Sequence, residues 1–237
     1  MRERLILALD IDDLERVKAI VRLLAGEVGM FKVGKQLFTH AGPAAVKLIQ
    51  EVGGEVFLDL KFHDIPTTVA KAAVEATRLG VKMFDVHASG SLEMMRHTVR
   101  EVRRVCRQEM LRQPMMLAVT VLTSLKKSDL EKLGVEDDVP DQVVRLALLT
   151  REAGMDGVVA SPHEAAVIRS ACGRRFLIVS PGIRSHKGKR NDQKRVMDPQ
   201  EAVRAGVDYI VVGRPIMEAK DPLAAAREIV AEMERST

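Results

Sequence analysis

Val56-Phe57-Leu58-Asp59-Leu60-Lys61-Phe62-His63-Asp64 begins as a short apolar run and ends in charge. Alternation along an extended chain puts Phe57, Asp59 and Lys61 on one face, with Val56, Leu58 and Leu60 on the other. Working outward, runs of the same kind recur at residues 5–9, 30–33, 83–86, 115–121, 157–160, 176–179 and 209–212. Between them lie stretches such as 14–24, 44–52, 69–79, 92–111 and 143–153, whose apolar residues fall at three- and four-residue spacing, the helical period. Glycine follows many of these stretches, at Gly29, Gly53-Gly54, Gly80, Gly154 and Gly206, the placement expected just beyond a helix C-terminus.

A run of strand–helix units with no break in composition predicts an α/β protein, a single (β/α)8 TIM barrel occupying the whole chain, 1–237. A doubly wound open sheet is the alternative, but it usually needs fewer strands, and the Gly-x-Gly-x-x-Gly turn of a dinucleotide site is absent. Hydrophobic residues make up 46% of the chain and charged residues 30%, which suits a globular domain. With no Trp, six Phe and one Tyr, aliphatic side chains must fill the interior.

The net charge of +4 hints at nucleic acid, but Lys and Arg are interspersed with Asp and Glu, and no basic patch alternates with stacking aromatics. A nucleic-acid partner is therefore not expected. Cys106 and Cys172 lie far apart, and neither CxxC nor HExxH occurs, which argues against a structural zinc. The apolar run at 5–9 is too short for a signal peptide or a membrane span, so the expectation is a cytoplasmic protein with no membrane partner.

In such a barrel, polar residues at the C-terminal strand ends face the active-site mouth. Reading each end gives Asp10, Lys32, Asp59 with Lys61, His87, Thr123, Ser161, Arg184 and Gly213-Arg214. A partly buried cluster of Lys32, Asp59, Lys61 and Asp64 carries a desolvation cost that pairing must offset, and such clusters persist where chemistry uses them. The alternatives are a structural ion pair or, for Asp64 before Ile65-Pro66, a helix N-cap. Phosphate binding is a recurrent use of the seventh and eighth loops of this fold, and an Arg such as Arg214 can grip phosphate with two parallel bonds. The basic segment 184–195 is a lid over that phosphate in one reading, a solvated loop or an import-like run in others. His63, His87 and His163 are read as supporting or surface groups.

At these residues the chain resembles the bacterial-type orotidine 5′-phosphate decarboxylases. The resemblance runs from about Leu5 to Pro222 and rests on Leu7-Ala8-Leu9-Asp10, Phe31-Lys32-Val33-Gly34-Lys35, Asp59-Leu60-Lys61-Phe62-His63-Asp64-Ile65-Pro66, Val86-His87-Ala88-Ser89-Gly90, Val119-Thr120-Val121-Leu122-Thr123-Ser124, Pro181-Gly182-Ile183-Arg184, Asp192-Gln193 and Gly213-Arg214-Pro215. It implies cofactor-free removal of carbon dioxide from orotidine 5′-phosphate in pyrimidine synthesis. Lys61 would protonate C6, and Lys32, Asp59 and Asp64 would complete an alternating charge array. Asp64 and Thr68 would reach the active site of the other subunit of a homodimer. Asp10 and Lys32 would hold the ribose, Thr123 would help read the pyrimidine, and Arg184, Gln193, Gly213 and Arg214 would bind the 5′-phosphate. The family commonly has Asn-Thr where this chain has Thr67-Thr68.

Magnesium-dependent decarboxylases and aldolases of sugar phosphates resemble the chain in Asp-x-Lys-x-x-Asp but carry a Glu metal ligand where Lys32 stands. A protonated Lys cannot ligate Mg²⁺, which takes oxygen ligands. A non-catalytic nucleotide-binding barrel would have no use for the complete charge array.

Overall fold

The computed structural model describes residues 1–183 and 197–235. Among them, eight parallel strands close into a barrel in chain order: β1 (Leu5–Ala8), β2 (Met30–Gly34), β3 (Val56–Phe62), β4 (Met83–His87), β5 (Met115–Val119), β6 (Gly157–Val159), β7 (Leu177–Ser180) and β8 (Tyr209–Val212), with β8 pairing back to β1. Around them lie α1 (Leu14–Leu24), α2 (Lys35–Ala41), α3 (Pro43–Glu51), α4 (Pro66–Arg78), α5 (Leu92–Gln108), α6 (Lys127–Lys132), α7 (Val139–Glu152), α8 (Ala165–Cys172), α9 (Pro199–Arg204), α10 (Arg214–Met217) and α11 (Pro222–Glu234). The (β/α)8 expectation holds, and every apolar run named above becomes a strand. The third strand outruns its apolar stretch, because Asp59 and Lys61 break the apolar pattern while the strand continues through Phe62.

Period-two alternation sorts the strand residues into two cores. Ile6, Ala8, Met30, Phe57, Met83, Leu117, Val119, Val159, Val179 and Val211 fill the barrel interior. Their sequence neighbours, including Leu5, Leu7, Phe31, Leu58, Phe84 and Val86, pack outward against the helices. Both faces of the closed sheet are thus buried, so these strands need apolar residues at consecutive positions.

Gly154, at φ 81°, follows α7 as expected of a residue that must enter the left-handed region. Gly29 has a different role from the one its position suggested. Helix α1 ends at Leu24, and a Cβ on Gly29 would stand 2.0 Å from the Glu3 carbonyl oxygen, so this glycine permits a close backbone approach.

At the opposite end of the barrel from the charged strand ends, Arg169 of α8 ties β7 to β8. Its Nη1 donates to the carbonyls of Gly173, Arg174 and Phe176 at 2.9, 3.0 and 2.6 Å. Its Nη2 donates to the Gly206 carbonyl and to Asp208 Oδ2, both at 2.7 Å. Asp208 Oδ2 in turn accepts the Ile178 N–H at 2.8 Å. Arg169→Ala removes the common donor and leaves a half-buried carboxylate facing carbonyls. We expect a loss of about 2–3 kcal/mol, read as a melting temperature lower by roughly 5–10 °C.

Candidate active site

The C-terminal ends of the strands surround a cavity of about 330 Å³, a volume suited to a small molecule. Asp10 beyond β1, Lys32 on β2, Asp59 and Lys61 on β3, Thr123 beyond β5, and Gly213 and Arg214 beyond β8 all line it. Pro181, Gly182 and Ile183 close the side below β7. The sequence-predicted residues Arg184 and Gln193, with the rest of segment 184–195, lie outside the described residues.

The charged side chains form a row of alternating sign. Lys32 Nζ lies 3.1 Å from Asp10 Oδ1 and 3.1 Å from Asp59 Oδ2, and Asp59 Oδ1 pairs with Lys61 Nζ. The side chains of Lys32, Asp59 and Lys61 are only 12%, 13% and 22% exposed. Burial opposes the charge on Lys32, but Asp59 and then Asp10 outweigh it and hold its pKa above the ordinary lysine value. Burial likewise works against ionised Asp59, and Lys32 and Lys61 together reverse that and bring its pKa below the usual carboxylate range. Both groups are therefore charged at neutral pH, in a nearly dry setting where charge interactions are strong.

Strand β3 is not regular where it carries these groups. Leu58 pairs with Phe84, whereas Phe62 pairs with Val86, so four steps on β3 answer two on β4. Lys61 takes the left-handed region at φ 54°, which is uncommon for a residue with a side chain. The excess is an even number of residues. Asp59 and Lys61 therefore still line the cavity, as simple alternation predicted, though by a different backbone path.

That path depends on Asp85, whose place within the apolar run 83–86 gives little sign of a role at the site. Asp85 is 0% exposed and its Oδ1 accepts the Lys61 backbone N–H at 2.8 Å. Its Oδ2 has no donor. Burial, then the charge on Asp59, raise its pKa well above the ordinary carboxylate value. The available signal was a lone carboxylate at an inward position of residues 83–86, between Met83 and His87.

Asp64 and Thr68 do not line the cavity of their own chain; both are exposed, beside Ile65, which is 64% exposed. The capping alternative for Asp64 fails in its usual form. Helix α4 begins at Pro66 with Ile65 at the cap position and no side-chain cap, while Asp64 Oδ1 accepts the Ile65 N–H at 2.6 Å. The rings of His63 and His87 lie 5.3 Å apart. Burial, then His63 and Lys61, lower the pKa of His87 to about 4, so it is neutral at physiological pH. Ser161 is buried, and its hydroxyl accepts the His163 N–H at 3.3 Å.

A closed (β/α)8 barrel with an Asp–Lys–Asp–Lys row lining a small-molecule cavity at the C-terminal strand ends has the architecture of a barrel enzyme. A family model described as orotidine 5′-phosphate decarboxylase / HUMPS family matches residues 3–229. Orotidine 5′-phosphate decarboxylase of Geobacter metallireducens is 56% identical over 232 residues, 98% of this chain and 96% of that one. The protein of the same name from Geobacter sulfurreducens is 55% identical, with the same coverage. The crystal structure of orotidine 5′-phosphate decarboxylase from Lactobacillus acidophilus superposes with a TM-score of 0.85 at 36% identity, covering 97% of this chain and 98% of that one. This chain belongs to the orotidine 5′-phosphate decarboxylase / HUMPS family.

Proposed function

We propose that this chain decarboxylates orotidine 5′-phosphate to uridine 5′-phosphate in pyrimidine nucleotide synthesis, with Lys61 delivering the proton to C6. The observation that carries the reading is the Asp10–Lys32–Asp59–Lys61 row on the wall of the cavity, exposed at Asp10 and largely buried from Lys32 to Lys61. The names of the relatives, at more than half identity along nearly the whole chain, support the choice of substrate.

Breaking the bond between C6 and the carboxylate leaves an electron pair in an orbital in the plane of the pyrimidine ring. The π system cannot delocalise that pair, so charge placed beside C6 must stabilise it. An ammonium about 4 Å away supplies roughly 4 kcal/mol at an effective dielectric near 20, and preorganised donors add several kcal/mol more. A Lys61 N–H proton then passes to C6 as carbon dioxide leaves, and solvent restores the ammonium. Asp59 and Lys32 hold Lys61 in place, Asp10 and Lys32 take the ribose hydroxyls, and Thr123 contacts the pyrimidine. Gly213 and Arg214 receive the phosphate on the far side of the cavity, with Arg184 and Gln193 assigned to the same role. Binding energy gained at the phosphate, away from C6, can be used to order the reacting groups.

We read the active unit as a cytoplasmic homodimer in which Asp64 and Thr68 complete the site of the neighbouring subunit. Their exposure at the rim, next to exposed Ile65, supports this, because a carboxylate beside an apolar residue at the edge of a site suits a contact surface. No helix among the described residues is long and apolar enough to cross a membrane.

The reading is tested by following the ultraviolet absorbance of orotidine 5′-phosphate in the presence of the purified protein; absence of turnover rejects it. Activity is expected to be unchanged by EDTA. Lys32, an ammonium paired with two carboxylates, occupies the place where a metal-dependent relative needs an oxygen ligand. Loss of activity with EDTA and its recovery with Mg²⁺ would overturn the metal-free assignment.

A further inference from the structure

We propose that Asp85 is a positioning residue that acts as a neutral carboxylic acid: Oδ1 accepts the Lys61 backbone N–H while the proton on Oδ2 is donated to Asp59. The proposal rests on the decarboxylase reading above and sets an uncharged carboxyl beside its charged row.

Three observations converge on it. The first is the irregularity of β3. Between Leu58 and Phe62 the ladder to β4 is interrupted, and the part-buried Lys61 N–H donates to the Asp85 side chain in place of a backbone carbonyl. An orphaned buried amide costs about 1–3 kcal/mol, and Asp85 Oδ1 at 2.8 Å removes that cost. The second is the left-handed backbone of Lys61, which persists only where the surroundings enforce it. The bond to Asp85 is made at the residue that bears this conformation, so it sets the direction in which the Lys61 side chain leaves the strand.

The third is the unpartnered Oδ2 in a side chain that is 0% exposed. Two ionised carboxylates cannot share this space without repulsion, and an ionised Asp85 would offer Asp59 no hydrogen. A proton on Oδ2 resolves both difficulties, because it donates to Asp59 and leaves Oδ1 free to accept from Lys61. The charged groups that face Asp85 are Asp59 and Lys61 of β3; from the neighbouring β5, Leu117 and Val119 belong to the apolar interior. Asp59 is thereby held from three sides, by Lys32, Lys61 and Asp85, and keeps its negative charge between the two ammonium groups.

Asp85→Asn is the deciding variant, since an amide reproduces one acceptor and one donor at the same positions without the ability to ionise. Its kcat is expected to stay within about threefold of wild type, whereas Asp85→Ala, free to relax β3 and displace the Lys61 ammonium, loses about 10²-fold in kcat with little change in KM. An Asp85→Asn protein as impaired as Asp85→Ala would overturn the proposal, because the negative charge would then be what matters. So would an Asp85→Ala protein with wild-type kcat.

A second readout does not depend on turnover. If folded Asp85 stays protonated, the unfolded chain loses this proton as pH rises above about 4 while the folded chain keeps it, so Asp85 contributes a loss of stability with rising pH that Asp85→Asn lacks. The melting temperature of Asp85→Asn is expected to gain on wild type steadily from about pH 5 to about pH 8. A gap independent of pH would overturn the neutral-acid assignment. This measurement also decides the matter if Asp85→Ala does not fold, or if wild type fails to turn over orotidine 5′-phosphate and the decarboxylase reading falls.

Discussion

Lys61→Ala is expected to lower kcat for orotidine 5′-phosphate by at least about 10⁴-fold while KM changes by less than about tenfold. The size follows from two losses at one atom. The ammonium charge opposite a developing carbanion is worth roughly 4 kcal/mol, or about 10³-fold, and proton delivery by a positioned acid contributes about 10²–10⁴-fold more. The split between kcat and KM follows from location. Lys61 sits at the end of β3, while Gly213 and Arg214, assigned to the phosphate, line the cavity beyond β8 and are untouched by the substitution. Steady-state kinetics on the purified variant, with circular dichroism to confirm the fold, provides the measurement. Turnover close to wild type would remove Lys61 from the role of proton donor.

The second large effect concerns a mixture. Lys61→Ala and Asp64→Ala proteins are each expected to be nearly inactive, yet together they should recover activity. In a two-fold dimer each site would take Lys61 from one subunit and Asp64 from the other, so a heterodimer holds one site with both lesions and one with neither. Random exchange of equal amounts makes half the dimers heterodimers, which sets the ceiling at about one-quarter of wild-type sites. The structural basis is the separation within a single chain. Asp59 and Lys61 line the cavity, but Asp64, only three residues on, stands exposed outside it and pairs with the Ile65 amide. No recovery under conditions where subunits demonstrably exchange would assign Asp64 a role within its own chain or none.

These effects depend on features that the amino-acid order discloses unevenly. The alternation of Phe57, Asp59 and Lys61 was legible because a strand has a period of two whatever its neighbours, and the residues do reach the same cavity. The route they take was not legible. The mismatch of four steps against two between β3 and β4 is a relation between strands more than twenty residues apart, and no pattern inside either strand encodes it. Asp85 was overlooked for the same reason. Within Met83-Phe84-Asp85-Val86 it looks like an exception in an apolar strand, and it acquires a partner only when β4 is laid beside the irregular part of β3. Asp64 was expected to join the array of a neighbouring subunit or to cap a helix; Pro66 starts α4 one residue too late for that cap, and the carboxylate stands exposed.

By itself the sequence determined the (β/α)8 architecture, an aliphatic interior and the strand ends at which Asp10, Lys32, Asp59, Lys61, Thr123, Gly213 and Arg214 stand. Those follow from periodicity and burial, which are local properties summed along a chain. Tertiary structure alone decided that Lys61 would turn left-handed, that a buried carboxyl from the next strand would hold its amide, and that Asp64 would stand exposed outside the cavity. Each of these is a contact, or a missing contact, between groups that local periodicity does not relate.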